Sequence, residues 1–252
     1  MLTNKRLYHV AISLVAAVMI WFVLILGASM SSGPGLKRFF EAFGGSFGGY
    51  VHAVIYMAFI FGVLEILEYQ KFIKKQHEGF KLNLLPVQDQ LVLSPDEVAK
   101  IKLNVIDLEK HGFSFLLTDF VKRACTQYRN NQSIGETLQV LTAQIDNSKT
   151  ELEGKLEIAR FLINAIASLG FIGTILHLAG SIGLFHLAKT EEGMPLITQC
   201  LNVSFDTTFI ALFLGLILSY FYHRYLEDLD TFYSRTKSYI IDNLISRIYH
   251  PL

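Results

Sequence analysis

The chain has 252 residues, of which 52% are hydrophobic and 17% charged, and its formal net charge is zero. A soluble domain carries about 25% charged residues, so this composition excludes most soluble enzymes as well as disordered and collagen-like chains. The balanced charge gives no reason to expect nucleic-acid binding. Two distant cysteines, Cys125 and Cys200, lack the spacing of a zinc site or a disulfide framework, so no metal or cofactor is predicted.

Four apolar stretches have the length of about 20 residues that a membrane-spanning helix needs. They cover residues 7–28, 47–67, 158–187 and 199–222. The first is too long for the apolar core of a signal peptide and precedes a poor cleavage site, which favours a retained helix. The sequence therefore predicts an all-α integral membrane protein with four transmembrane helices.

Lysine and arginine residues lie mainly on one side of these spans. If the N-terminus is cytoplasmic, all but three of the 22 lie inside, and Lys37, Arg38 and Lys189 lie outside. Three lysines directly follow the second span, in the flanking position that influences orientation most. Both termini are therefore expected in the cytoplasm. The chain then divides into a transmembrane hairpin (1–68), a cytoplasmic helical insertion (69–157), a second transmembrane hairpin (158–222) and a cytoplasmic C-terminal helix (223–252).

The insertion carries clear helix signals. Ser94 precedes Pro95 and Glu97 in the pattern of a capped helix start, and that helix should run to about Lys110, with Gly112 ending it. A second helix is expected over residues 113–129, and Ser133 and Glu136 form another capping pattern.

Two longer helices are expected to follow. The proline-free run over residues 136–187 predicts one helix of about 50 residues, which is about 75 Å long. A short outer turn is expected around residues 193–195, and the last helix should continue past Tyr222 until Pro251. Residues 82–93, around Pro86, are interpreted as extended.

Small and polar residues share one face of the third span. Gly170, Thr174, His177 and Ser181 follow helical spacing, and Gly173 lies nearby. One interpretation is close helix packing, in which threonine and serine hydroxyls bond to carbonyls of their own helix. The other gives His177 a role in proton chemistry, because its pKa permits protonation near neutral pH.

The fourth span carries Ser204, Asp206, Thr207 and Thr208. A charged aspartate in a span costs several kcal/mol, so Asp206 should face the protein interior or a watery cavity. Its structural alternative is a hydrogen bond to His177 or to a neighbouring chain.

The helical rise predicts the depths of these groups. It puts Thr174 and Thr208 at mid-depth, with His177 and Asp206 one level further out. Glu65 and Glu68, at the cytoplasmic mouth of the second span, are interpreted as boundary residues. No catalytic motif is present, so an enzyme is not expected.

Two segments resemble the MotA/TolQ/ExbB proton-channel family. The first is Leu-Gly-Phe-Ile-Gly-Thr at residues 169–174, and the second is Phe-Asp-Thr-Thr-Phe-Ile-Ala-Leu at residues 205–212. The resemblance covers about residues 135–245, and the four-span count is similar to that of MotA. In this register Thr174 matches the threonine of the first family motif. Thr208 matches the last-span threonine best, and Thr207 is the competing register.

The resemblance implies a function. Family members form a ring of five subunits around two copies of a single-span ExbD/TolR/MotB-like partner in the bacterial inner membrane, and ion flow turns one assembly against the other. This chain would be the ring subunit, with an ion pathway formed by Thr174, Thr208, Thr207, Asp206, Ser204, His177 and Ser181. An acidic residue found before the last-span threonine in many relatives falls on Val203 here, and Asp206 is the candidate to replace it.

The sequence leaves an alternative open both for the transported ion and for the function. The cluster of hydroxyl and carboxylate oxygens in the fourth span suits sodium as well as protons. The alternative function is a non-conducting membrane scaffold, in which the small residues only pack helices. A secondary transporter is less favoured, because the four spans show no repeated halves.

Overall fold

The computed structural model describes residues 2–45, 49–86 and 92–248, and most of this part of the chain is helical. Its eight α-helices are Leu2–Met30 (α1), Pro34–Phe40 (α2), Tyr50–His77 (α3), Pro95–Lys110 (α4), Leu116–Asn131 (α5), Ile134–Lys155 (α6), Glu157–Gly183 (α7) and Gly193–Asn243 (α8). Four helical stretches, built from α1, α3, α6 with α7, and α8, are long and apolar enough to cross a membrane. The protein is therefore an all-α multi-pass membrane protein, as predicted.

The helix bounds refine three expectations. Residue 47, where the second span was expected to start, lies outside the described residues. The predicted 50-residue helix is divided in two, because Leu156 between α6 and α7 has φ −94° and ψ 1°. The outer turn precedes residue 193, and Pro195 lies in the first turn of α8. Proline is tolerated there because the first N–H groups of a helix have no partner in the helix.

The chain forms two compact units. Unit 1 consists of Met1–Leu67 and Leu156–His223, and it contains the four apolar spans. Unit 2 consists of Glu68–Lys155 and Arg224–Leu252, and it contains most of the insertion together with the C-terminal extension of α8.

In unit 1 the segment after α1 folds back along that helix. The indole Nε1 of Trp21 donates a hydrogen bond of 3.1 Å to the carbonyl of Gly44, and the ring of Phe40 packs directly against Gly27. Trp21 lies nine residues before the end of α1, which is about 14 Å along the helix axis. Residues 34–45 therefore fold back alongside the C-terminal half of α1, a feature that the sequence patterns did not indicate.

A buried carboxylate joins α1 to α3. Glu65 is only 2% exposed, and its oxygens lie 3.3 Å from Nε of Arg6 and 2.8 Å from Nδ1 of His9. The sequence interpreted Glu65 as a boundary residue, where a carboxylate costs little, and the structure shows that it is buried and paired with two basic side chains. Burial in a span would be very costly for an isolated carboxylate, and the two basic side chains of α1 replace its hydration.

Unit 2 has the helix start that its sequence predicted. The Ser94 hydroxyl accepts a hydrogen bond from the Glu97 N–H, and the Glu97 carboxylate accepts one from the Ser94 N–H, forming a capping box. Gly112 has φ +91° just after α4, a conformation that glycine adopts without strain. The predicted C-terminus of this helix is therefore confirmed, whereas the next helix begins at Leu116 rather than at residue 113.

The long helices α6 and α8 contact each other within unit 2. Lys149 forms an ion pair of 2.7 Å with Asp230, and the hydroxyls of Ser148 and Tyr233 lie 2.8 Å apart.

The thiol of Cys125 is buried in α5, and this burial raises its pKa to about 12.

The expected extended segment is only partly described. Residues 87–91 lie outside the described part of the chain. Leu93, which follows them, donates a backbone hydrogen bond of 2.7 Å to Arg247, and it forms an isolated bridge with Ile248. Pro251, the predicted end of the last helix, also lies outside the described residues.

Candidate ion-pathway site

Two glycines of α7 let α8 approach closely. A methyl group built on Gly170 would collide with the Cβ of Ala211, and one on Gly173 would collide with Cγ2 of Thr207. Gly180 and Gly183 have no such neighbour among the described residues. Close packing therefore explains the first two glycines, as expected for small residues at a helix interface in a membrane.

The threonines of the two helices meet at this close approach. The hydroxyl of Thr174 is hydrogen-bonded to that of Thr208. Both hydroxyls also lie near the same carbonyl, that of Gly170, at 3.2 Å and 3.1 Å. Thr208, rather than Thr207, thus faces Thr174 across the helix pair, and both side chains remain partly exposed in the isolated chain.

The neighbouring hydroxyls in α8 lie deeper in the protein. Ser204 is fully buried and donates to the carbonyl of Thr174 at 3.0 Å. Thr207 is also buried, and its hydroxyl donates to the Val203 carbonyl of its own helix at 2.6 Å. Ser204 therefore cross-links the two helices, whereas Thr207 contributes its methyl group to the packing against α7.

The C-terminal part of α7 carries the other two predicted residues. His177 is buried, and its Nδ1 lies 2.7 Å from the Gly173 carbonyl, so this nitrogen donates. The Ser181 hydroxyl donates to the His177 carbonyl at 3.1 Å. In a neutral His177 the other ring nitrogen, Nε2, is then a hydrogen-bond acceptor.

Asp206 is held by an arginine from outside the helix pair. Nη1 of Arg38 lies 2.6 Å from one carboxylate oxygen, and Nη2 lies 2.8 Å from the other. These bonds raise the pKa of Arg38 above its ordinary value. Sequence reasoning offered His177 or a neighbouring chain as the partner of Asp206 and assigned Arg38 only to the outer loop. No local pattern shows that residues 34–45 bring Arg38 back to α8.

The site combines neutral oxygens with an apolar surface. Thr208 shares a helical stripe with three exposed side chains, Phe205, Phe209 and Leu212. A hydroxyl both donates and accepts hydrogen bonds, so the threonine pair offers oxygen contacts to water, a proton carrier or sodium without a fixed charge.

Residues 114–237 match the family model of the MotA/TolQ/ExbB proton channel family. This segment of the chain therefore belongs to the MotA/TolQ/ExbB family. The matched residues include α7, the transmembrane part of α8 and both threonines. No curated protein and no solved structure matches the chain significantly. The match to the MotA/TolQ/ExbB family supports a membrane subunit of the proton-channel class, and proteins of this family work in complexes with single-span partners.

Proposed function

We propose that the chain is the ring subunit of an ion-driven motor or energiser in the bacterial inner membrane. In this proposal, protons or sodium ions pass the pair formed by Thr174 and Thr208, and their flow drives rotation or force on a single-span partner. The ring is a homopentamer around two partner copies, and both termini of each subunit lie in the cytoplasm.

The observation that carries this proposal is the bonded pair of threonine hydroxyls at mid-depth. In a hydrocarbon environment a polar group needs a partner, so polar side chains at this depth usually mark a pathway or an interface. The hydroxyl pair is partly exposed in the isolated chain, so a helix placed beside Thr208 would contact it. A carboxylate on such a helix could exchange its proton or ion with the two hydroxyls.

The exposed apolar residues of α8 support an oligomer. Phe205 is 68% exposed and Phe209 is 65% exposed, on the same stripe as Thr208. Large side chains beside a polar pair fit a protein interface better than a purely lipid-facing surface, which would also expose the hydroxyls to hydrocarbon. Neighbouring subunits and the partner helix are the proposed occupants of this stripe.

The scaffold alternative also has a specific observation in its favour. The hydroxyls of Thr174, Thr208 and Ser204 already bond within the chain, to each other or to backbone carbonyls. Such contacts are sufficient to pack two helices without ion flow. Only a measurement of ion flow distinguishes the two functions.

The decisive experiment uses the chain purified from its native membrane together with whatever single-span protein remains bound. Native mass spectrometry should give five copies of the chain with two copies of the partner. The same complex in liposomes should admit protons or sodium when a potassium diffusion potential is imposed. A stable monomer, or an assembled complex that passes neither ion, would contradict the proposal and support the scaffold.

The orientation is tested separately. Single cysteines introduced by Lys100→Cys and Lys189→Cys, in a background without native cysteines, are treated with a membrane-impermeant maleimide on intact cells. Only Lys189→Cys should react, because residue 189 follows the third span and should lie outside. Labelling of Lys100→Cys in intact cells would reverse the orientation.

A further inference from the structure

A buried histidine lies near the start of α3. His52 is 0% exposed, and neither of its ring nitrogens meets a hydrogen-bond partner at normal geometry among the described residues. The backbone of Ala42 acts on the ring as a weak hydrogen-bonding group, the smallest of the effects on it. A neutral imidazole has one donor and one acceptor nitrogen, and burial of both without partners is destabilising. If the side chain at this position only filled space, leucine or phenylalanine would stabilise the fold more, because neither buries an unpaired polar atom.

Two titratable groups, on α7 and α8, act on this imidazole. The charge of Asp206 on α8 and the ring of His177 on α7 both act electrostatically on His52. On a third side lies Gly44, whose φ is +102°, and a methyl group on it would come within 2.8 Å of the His52 Cβ. The folded-back segment 34–45 therefore packs directly against the histidine, and through Arg38 it also holds Asp206.

Arg38, which holds Asp206, also lines a cavity. Its volume is about 390 Å³, and Arg38, Glu41, Gln199 and Asn202 supply polar groups to its lining. At about 30 Å³ for each molecule of liquid water, the cavity has room for roughly ten waters. Arg38 both lines the cavity and bonds Asp206, so one side chain links the cavity to the charge that acts on His52.

We propose that His52 is a proton-binding residue in the outer half of unit 1, reached by water through the Arg38-lined cavity. A hydronium ion in the cavity transfers its proton to the free imidazole nitrogen, leaving a water molecule and an imidazolium. Asp206 compensates the new positive charge, and the imidazolium then releases the proton from its other nitrogen to a second water. This inference deepens the proposed function. It rests on that function for the next step, in which the released proton passes on to the pair formed by Thr174 and Thr208.

The test measures water access and protonation of His52 without requiring ion flow. The full chain in lipid nanodiscs is incubated in D2O over a range of pH, and exchange of the C2 hydrogen of each histidine is measured by mass spectrometry. This exchange requires water at the ring and follows the protonation of the imidazole. His186, which is exposed near the outer end of α7, is the reference.

We expect the C2 hydrogen of His52 to exchange within about tenfold of the His186 rate and to titrate with pH. In Asp206→Asn the pH midpoint of His52 should move by about half a unit or more while that of His186 stays fixed, because a facing charge has been removed. Exchange more than tenfold slower than at His186 at every pH would identify a dry packing residue and overturn the proposal. A midpoint that does not respond to Asp206→Asn would overturn it as well.

A second variant separates this inference from the proposed function. His52→Leu should assemble normally and lower proton flow at least tenfold, whereas a packing residue replaced by leucine would leave flow unchanged and overturn the proposal. If the exchange result holds but the threonine variants described below remain fully active, the proton site stands and the threonine pathway fails.

Discussion

The two membrane hairpins of unit 1 are held together by different chemistry. Between α1 and α3 the link is ionic, because buried Glu65 contacts Arg6 and His9. Between α7 and α8 the link is neutral, because Thr174 bonds Thr208. A buried carboxylate with its basic partners fixes a charge distribution that is costly to disturb. A hydroxyl pair has no net charge and rearranges by rotation about one bond, so the second hairpin is the one suited to contact a moving ion.

The largest effect is expected at the hydroxyl pair. Thr174→Ala and Thr208→Ala should each lower ion flow at least about 100-fold while the oligomer stays assembled, because an unmet polar group in a low-dielectric site costs several kcal/mol. Ion flow into liposomes and native mass spectrometry measure the two results. Thr174→Ser and Thr208→Ser keep the hydroxyl and should retain flow.

Thr150→Ala provides the matched control for these variants. Thr150 is exposed on α6, and its hydroxyl donates to the Asp146 carbonyl of its own helix, away from the proposed pathway. This variant should behave as the unmodified protein. Full flow in both mid-depth alanine variants would contradict the pathway, and loss of the oligomer would assign the pair to packing.

The hairpin of α1 and α3, which is joined by ion pairs, should lose stability when those pairs are removed. Glu65→Ala removes the carboxylate and leaves the two basic side chains of α1 inside the hairpin. Breaking a buried pair costs 3–5 kcal/mol, and the partial exposure of Arg6 reduces this to about 2 kcal/mol. Thermal unfolding of the full chain in detergent should therefore shift clearly downwards. Glu157→Ala, which removes the exposed pair with Arg160, should shift it little, and equal shifts would remove the distinction between the two sites.

Unit 2 also contains a buried group that is neutral in the folded state, the thiol of Cys125. Burial raises its pKa from 9.0 to about 12, so the folded state favours the neutral thiol. This stabilisation is fully present below pH 9 and is lost as the pH rises towards 12, because the unfolded chain ionises first. The loss should be about 1.4 kcal/mol for each pH unit above 9. Cys125→Ala should flatten the stability profile between pH 9 and 11, whereas Cys200→Ala should not.

The smallest effect is expected at the outer ion pair. Arg38 binds both oxygens of Asp206, which is 13% exposed, whereas Arg38 itself is 44% exposed. Asp206→Asn should lower ion flow about threefold. The effect is small because a partly exposed ion pair contributes under about 1 kcal/mol. Arg38→Gln should have the same effect, and the double variant should be no worse than either single one. Abolished flow in Asp206→Asn with normal flow in Arg38→Gln would instead make Asp206 an ion carrier.

Much of the second hairpin could be predicted from local spacing. Helical rise alone put Thr174 and Thr208 at the same depth, and the structure brings their hydroxyls together. The sequence left two registers open, and side-chain direction decides between them, since Thr207 turns its hydroxyl to the Val203 carbonyl. The burial and pairing of Glu65 could not be predicted for a different reason: hydropathy locates the end of a span but does not show which side chains replace water there.

The sequence by itself determined the four apolar spans, the family resemblance, the capped start of α4 and the relative positions of the polar groups along their helices. These properties depend on apolar length, on short motifs and on a fixed rise per residue, all of which are local. Only the tertiary structure decided that residues 34–45 fold back along α1, that Arg38 holds Asp206, and that His52 is buried beside them. These contacts join residues up to 168 positions apart, and they depend on how helices pack, which no local period encodes.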